Sequence, residues 1–149
     1  MQLTIKGTIY ELKFNFKALF KANKDFSTID ENGNNMGDGA TNLFTRLALG
    51  DSLAIIDVIK VATSVSKVTD EDMFNAVDQL TEEGEKLDDV LQELMDELKH
   101  SGFFVKSIQT QKKGLEEALE MLKKKAETEE TTQQIMAVQR IVTLINDNL

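Results

Sequence analysis

The sequence predicts a mainly α protein: an N-terminal β-hairpin, then a compact helical domain, then a C-terminal helical pair. Two observations carry that prediction. Apolar residues alternate on either side of Lys6-Gly7, the period of a strand, and from residue 42 onward they recur three and four apart, the period of a helix. The absence of proline spares those helical stretches its backbone break.

In the hairpin, a two-residue Lys6-Gly7 turn sets Ile5 against Thr8, Leu3 against Tyr10 and Met1 against Leu12. Those pairs share one face with Phe14 and Phe16, so turn length and apolar pattern select the same register. A three-residue turn would instead oppose Leu3 to Glu11, mixing apolar and charged partners. Glycine suits the turn because a type I′ geometry needs positive φ there. The chain then enters a helix, and Tyr10, Phe14 and Phe16 are expected to build the core.

Residues 23–40 are dense in Asn, Asp and Gly and poor in apolar anchors, which predicts a mobile loop. Asp30, Asn32 and Asn34 alternate like the opening of a calcium loop. The sixth position is Asn35 and the twelfth Thr41, where such a loop needs Gly and Glu, so no metal site is predicted. A short helix over Asn42 to Leu49 ends at Gly50, a residue suited to a left-handed helix terminus. Asp51 then caps a helix over Ser52 to Ser64, where Leu53, Ile55, Ile56, Val58, Ile59, Val61 and Ala62 leave only a narrow stripe of Asp57, Lys60 and Ser64. This is the expected centre of the core. Thr69 and Asp72 have capping-box spacing for the next helix, with Met73, Phe74, Val77 and Leu80 on one side. After a turn near Gly84, Leu87, Val90, Leu91, Leu94, Met95 and Leu98 form the clearest helical stripe, which Gly102 closes. His100 lies in that helix's last turn, where the dipole favours a cation.

The last third divides in two. Ile108, Leu115 and Leu122 are spaced by seven, with Ala118 between, and Ile135, Val138, Val142, Ile145 and Leu149 alternate by three and four. The two registers do not join, and Lys123 to Thr132 is nearly free of apolar residues, so two helices with a turn near residues 127–131 are expected. Residues 1–104 are thus read as a hairpin plus helical domain, and 105–149 as a helical hairpin or extension. That pair either packs on the domain or serves an oligomer or partner.

Composition narrows the function. The chain has 149 residues and no cysteine, which excludes disulfides, thiolate metal sites and cysteine nucleophiles and fits a cytosolic setting. No stretch approaches the ~20 apolar residues of a membrane span, and no signal-peptide pattern opens the chain. With a single histidine, no phosphate-binding glycine motif and carboxylates spread over solvated helix faces, an enzyme is not expected, and no catalytic, cofactor or metal residue is assigned. The net charge of −9 is uneven: residues 1–24 carry +4 and residues 70–99 carry −10. The acidic block speaks against nucleic acid as a partner. It is either a solvated face or a surface for a basic partner, such as the basic end of a neighbouring copy. An acidic interaction module that mimics DNA is an alternative class.

The opening run Leu3-Thr4-Ile5-Lys6-Gly7-Thr8-Ile9-Tyr10-Glu11-Leu12-Lys13-Phe14-Asn15-Phe16-Lys17-Ala18 resembles the start of tail assembly chaperones from siphophages and prophages of Gram-positive bacteria. Leu47-Ala48-Leu49-Gly50-Asp51, an apolar helix from Ser52 and an acidic helix closing on Leu98-Lys99-His100-Ser101-Gly102-Phe103 follow in the order that family shows. The resemblance spans roughly residues 1–104. It implies a protein of the host bacterial cytoplasm that binds the tape measure protein, keeps it soluble, recruits tail tube subunits and is absent from the mature virion. Self-association into a homo-oligomer is implied as well. The class competing with a chaperone is a structural virion component.

Overall fold

Lys6 and Gly7 both take positive φ, 53° and 79°, and this turn folds strand β1 (Gln2–Ile5) onto β2 (Thr8–Glu11). The structure, a computed structural model, describes residues 1–125 and 127–149. The register is the expected one: Ile5 opposes Thr8, Leu3 opposes Tyr10, and the Leu12 amide donates to the Met1 carbonyl at 2.9 Å. Leu3, Ile5 and Leu12 are thereby buried.

Phe16 departs from its expected place. Asn15 ends the extended chain by accepting a hydrogen bond from the Ala18 amide at 3.1 Å, so Phe16 begins helix α1 (Phe16–Asp25). From there the inward face follows a helical period: Ala18 and Ala22 are buried, while Phe16 is 62% exposed. Phe14 and Tyr10 are partly buried against the core, Phe14 edge-on to Phe104 with ring centroids 5.9 Å apart.

Helix α2 (Gly39–Ala48) begins earlier than its pattern suggested, which leaves a connection over residues 26–38. Polar side chains tie the connection together and join the helices on either side: Asp38 accepts from the Thr28 amide at 2.7 Å, and Asn23 of α1 accepts from the Ala40 amide of α2 at 3.1 Å. Gly39 reads in the sequence as a breaker but has a packing role. A Cβ there would collide with the Ala22 carbonyl, so only glycine lets α2 start this close to α1.

With Ala40, Leu43, Phe44 and Leu47 buried, α2 packs against α1 and against the four later helices α3 (Ala54–Ala62), α5 (Leu87–His100), α6 (Gly102–Lys123) and α7 (Glu129–Asn148). It shares the centre with α3, the helix the sequence placed there, whose Ala54, Ile55, Val58, Ile59, Val61 and Ala62 are buried. Two residues of α3's stripe fall outside: Leu53 is 69% exposed and Ile56 only partly buried. Gly50 takes φ of 80° as expected; Asp51 accepts from the Leu53 amide at 3.0 Å in the turn before α3 and does not cap it, because the helix starts at Ala54, later than the expected Ser52, with Leu53 at its cap.

The Thr69–Asp72 capping box forms with both reciprocal bonds and starts α4 (Asp70–Leu80). Met73 and Ala76 face inward, but Phe74 is half exposed, because α4 lies at the edge against β1 and α3 and buries a narrow arc. In α5 the expected Val90, Leu91, Leu94, Met95 and Leu98 are all buried. Gly102 does not close α5. Ser101 separates the helices: its Oγ donates to the Phe14 carbonyl at 2.7 Å and accepts from the Phe104 amide at 3.3 Å, which caps α6 and ties it to the hairpin's exit.

Helix α6 runs unbroken to Lys123, so residues 104 and 105 sit within it, and Phe104 and Ile108 belong to the main core. Helix α6 ends at Lys123, before the expected turn near residues 127–131, and α7 begins within that turn at Glu129, where Thr128 caps it by accepting from the Thr131 amide at 3.0 Å. Ile108 and Ile145 anchor the pair in the core, and Leu119 and Val142 are buried between the helices. Leu115 is half-buried against the main core, and further out Leu122, Ile135 and Val138 are only half-buried, so the pair ends as an arm.

Candidate functional site

The arm has the composition of a two-helix layer lacking its next layer. Leu122, Ile135 and Val138 fill the contact between α6 and α7 incompletely, and Met121 and Met136, off the expected seam, are each 67% exposed. A groove of about 500 Å³ lies along Ala118, Met121, Leu122, Ala137 and Val138, and another of about 490 Å³ along Ile135, Met136, Gln139, Arg140 and Leu144. Carbon atoms make up most of the surface of both walls, although Thr143 and Asp147 also border the second. Methionine adapts to varied apolar partners because its unbranched thioether has several accessible rotamers.

A second apolar surface joins α1 to the start of α6. Phe16 and Phe103 meet edge to face with centroids 5.6 Å apart, and Phe20, one turn after Phe16, is 60% exposed. Leu19, Phe103 and the stem of Lys106 border a groove of about 470 Å³ beside them.

The charge blocks occupy different elements. Asp70, Glu71, Asp78, Glu82, Glu83, Glu85, Asp88, Asp89 and Glu93 are exposed along α4, the following turn and α5. Part of the basic end is already matched inside the molecule, with Lys6 Nζ 4.0 Å from Asp72 and the terminal ammonium 3.5 Å from Glu97. Lys13 and Lys17 on the hairpin exit and α1 are exposed and outside every described ion pair.

The residues with shifted acidities have structural tasks. Arg46 donates to Asp51 at 2.9 Å and to Asp57 at 2.8 Å; burial opposes its charge, but these bonds outweigh burial and raise its pKa. Asp51 is held below the usual carboxylate range chiefly by the Arg46 hydrogen bond. Asp30 is lowered first by the Asn34 amide, and its carboxylate closes its own loop by also accepting from the Asn32 amide at 2.9 Å. His100 Nδ1 lies 2.6 Å from the Asp96 carbonyl at the end of α5. Among the described residues no group of three or more His, Cys, Asp or Glu side chains is arranged to hold a metal, and no helix is long and apolar enough to cross a membrane. The sequence named no site residue. The apolar surfaces were signalled only by residues off the helical stripes, Met121, Met136 and Phe103, and by Phe16, which had been expected inside.

These features define a helix-rich acidic protein whose surface carries apolar grooves. The sequence model of the family described as phage tail assembly chaperone protein, TAC, matches residues 2–113, from the hairpin to the middle of α6. The chain belongs to that family. No curated protein and no solved structure matches it.

Proposed function

We propose that this chaperone binds the tape measure protein while the tail is built, keeps it soluble and brings tail tube subunits to it. The carrying observation is the arm: two long helices with apolar grooves on both flanks and methionines exposed along them. A long helical client presents apolar stripes that would otherwise self-associate, and a helix laid in such a groove buries its stripe through anchors three and four residues apart. The acidic helices α4 and α5 add like charge to each chaperone–client complex, which opposes aggregation. Binding, not catalysis, is the whole activity under this reading, which takes place in the host cytoplasm, and self-association gathers several arms on one client.

Co-expression with the tape measure and tail tube proteins tests the reading. The tape measure protein should move from the pellet to the supernatant and co-purify with the chaperone. A tape measure protein that stays insoluble would count against it. Mass spectrometry of purified particles separates a chaperone from a virion component, since a chaperone is missing from them.

A further inference from the structure

We infer that the outer edge of β2 and the lysine-lined cleft beside it form a docking site for an extended acidic segment of a partner protein, added as a third strand to the hairpin. In this register Met1–Leu12, Leu3–Tyr10 and Ile5–Thr8 are the pairs that exchange backbone hydrogen bonds, as the Leu12 amide to the Met1 carbonyl shows. Ile9 and Glu11 therefore direct their N–H and C=O groups away from β1, and no described group pairs with them. The other edge differs, since β1 is packed by α4. Ile9 itself is 67% exposed. An uncovered edge of this kind is a template for strand addition.

The cleft supplies the selectivity. It has a volume of about 280 Å³ and lies between β2 and the end of α3, where the Lys13 amide donates to the Ala62 carbonyl at 2.8 Å. Lys13, Lys17 and Lys21 line it against one carboxylate, Glu11. Lys17 donates to Ser64 Oγ at 3.2 Å and Lys21 to the Thr63 carbonyl at 2.9 Å, which aims both ammonium groups at the cleft wall and leaves each with two further donors. None of the three lysines is in a described ion pair. A strand with carboxylates at alternate positions would pair its backbone with Ile9 and Glu11 while its acids meet the lysines. A second copy offering its own β2 would instead bring two lysine-rich edges together, which like-charge repulsion disfavours.

The test uses the full-length ¹⁵N-labelled protein and a blocked hexapeptide of alternating valine and glutamate. The amides of Ile9 and Glu11 should shift on titration, and Lys13→Glu with Lys17→Glu, both at exposed positions, should weaken binding by about fivefold or more. The same peptide with alternate backbone nitrogens methylated should lose binding, because it cannot pair along the edge. The site is refuted by the absence of shifts at Ile9 and Glu11 at millimolar peptide. Equal binding of an alternating valine–lysine peptide, or of the methylated one, refutes it too, as does hairpin-to-hairpin dimerisation that excludes the peptide.

Discussion

Thr41 is 4% exposed, and its hydroxyl has no hydrogen-bond partner among the described residues. A buried donor without a partner forfeits its hydration, so Thr41→Val, which keeps the shape and removes the hydroxyl, should raise stability by about 1 kcal/mol in urea unfolding. Arg46 is the opposite case, with two carboxylate partners and a half-buried side chain. The folded-state pKa of Asp51 lies below its ordinary 3.8, so its contribution to stability is present above that value and is lost as pH falls through the folded pKa. Native protein should therefore lose more stability than Arg46→Met between pH 7 and about pH 3; parallel losses would show that the pair contributes nothing. Single residues were unevenly legible in the sequence. Thr69 and Asp72 announced their capping box by spacing alone. Ser101 did not, because its bond to the Phe14 carbonyl joins positions 87 residues apart that only the fold brings together.

Secondary elements were read best where one face is buried and the period is strict. The register of the hairpin and the whole inner face of α5 were legible in the sequence for that reason. Periodicity indicates which residues share a face and leaves open how wide an arc is covered, so Phe74 and Leu53 were placed inside though α4 and the start of α3 leave them exposed. The role of α2 was hidden because Gly39 looks like a loop residue until the Ala22 carbonyl is beside it. Two neighbours in α3 now have different expectations. Ile59 is fully buried and Ile56 only partly, so Ile59→Asp should cost about 3 kcal/mol or more and Ile56→Asp less than about half of that. Equal losses by chemical denaturation would mean that the inner face of α3 is misjudged.

On the scale of the molecule, the basic hairpin end and the acidic α4–α5 face are complementary between copies, although Lys6 and the terminal ammonium are partly satisfied within one. Association through these surfaces should weaken steeply as salt rises, because exposed charges are screened within about 8 Å at physiological ionic strength. Light scattering across a salt series checks this, and a monomer at high protein concentration and low salt would exclude it. The family was legible from the N-terminal motifs, and its matched residues end at 113, short of the arm's outer half. The arm's grooves were not legible, since the seam positions show which faces meet and not how much each leaves uncovered. Under the proposed function those grooves carry the client. The most direct measurement is the soluble fraction of the tape measure protein on co-expression with the Met121→Glu/Met136→Glu variant, with Phe74→Glu as a control at an exposed position off the arm. Both variants should stay folded by circular dichroism, the arm variant should lose most of the solubilised client, and Phe74→Glu should keep it; an arm variant that solubilises the client as well as the native chain would contradict the claim.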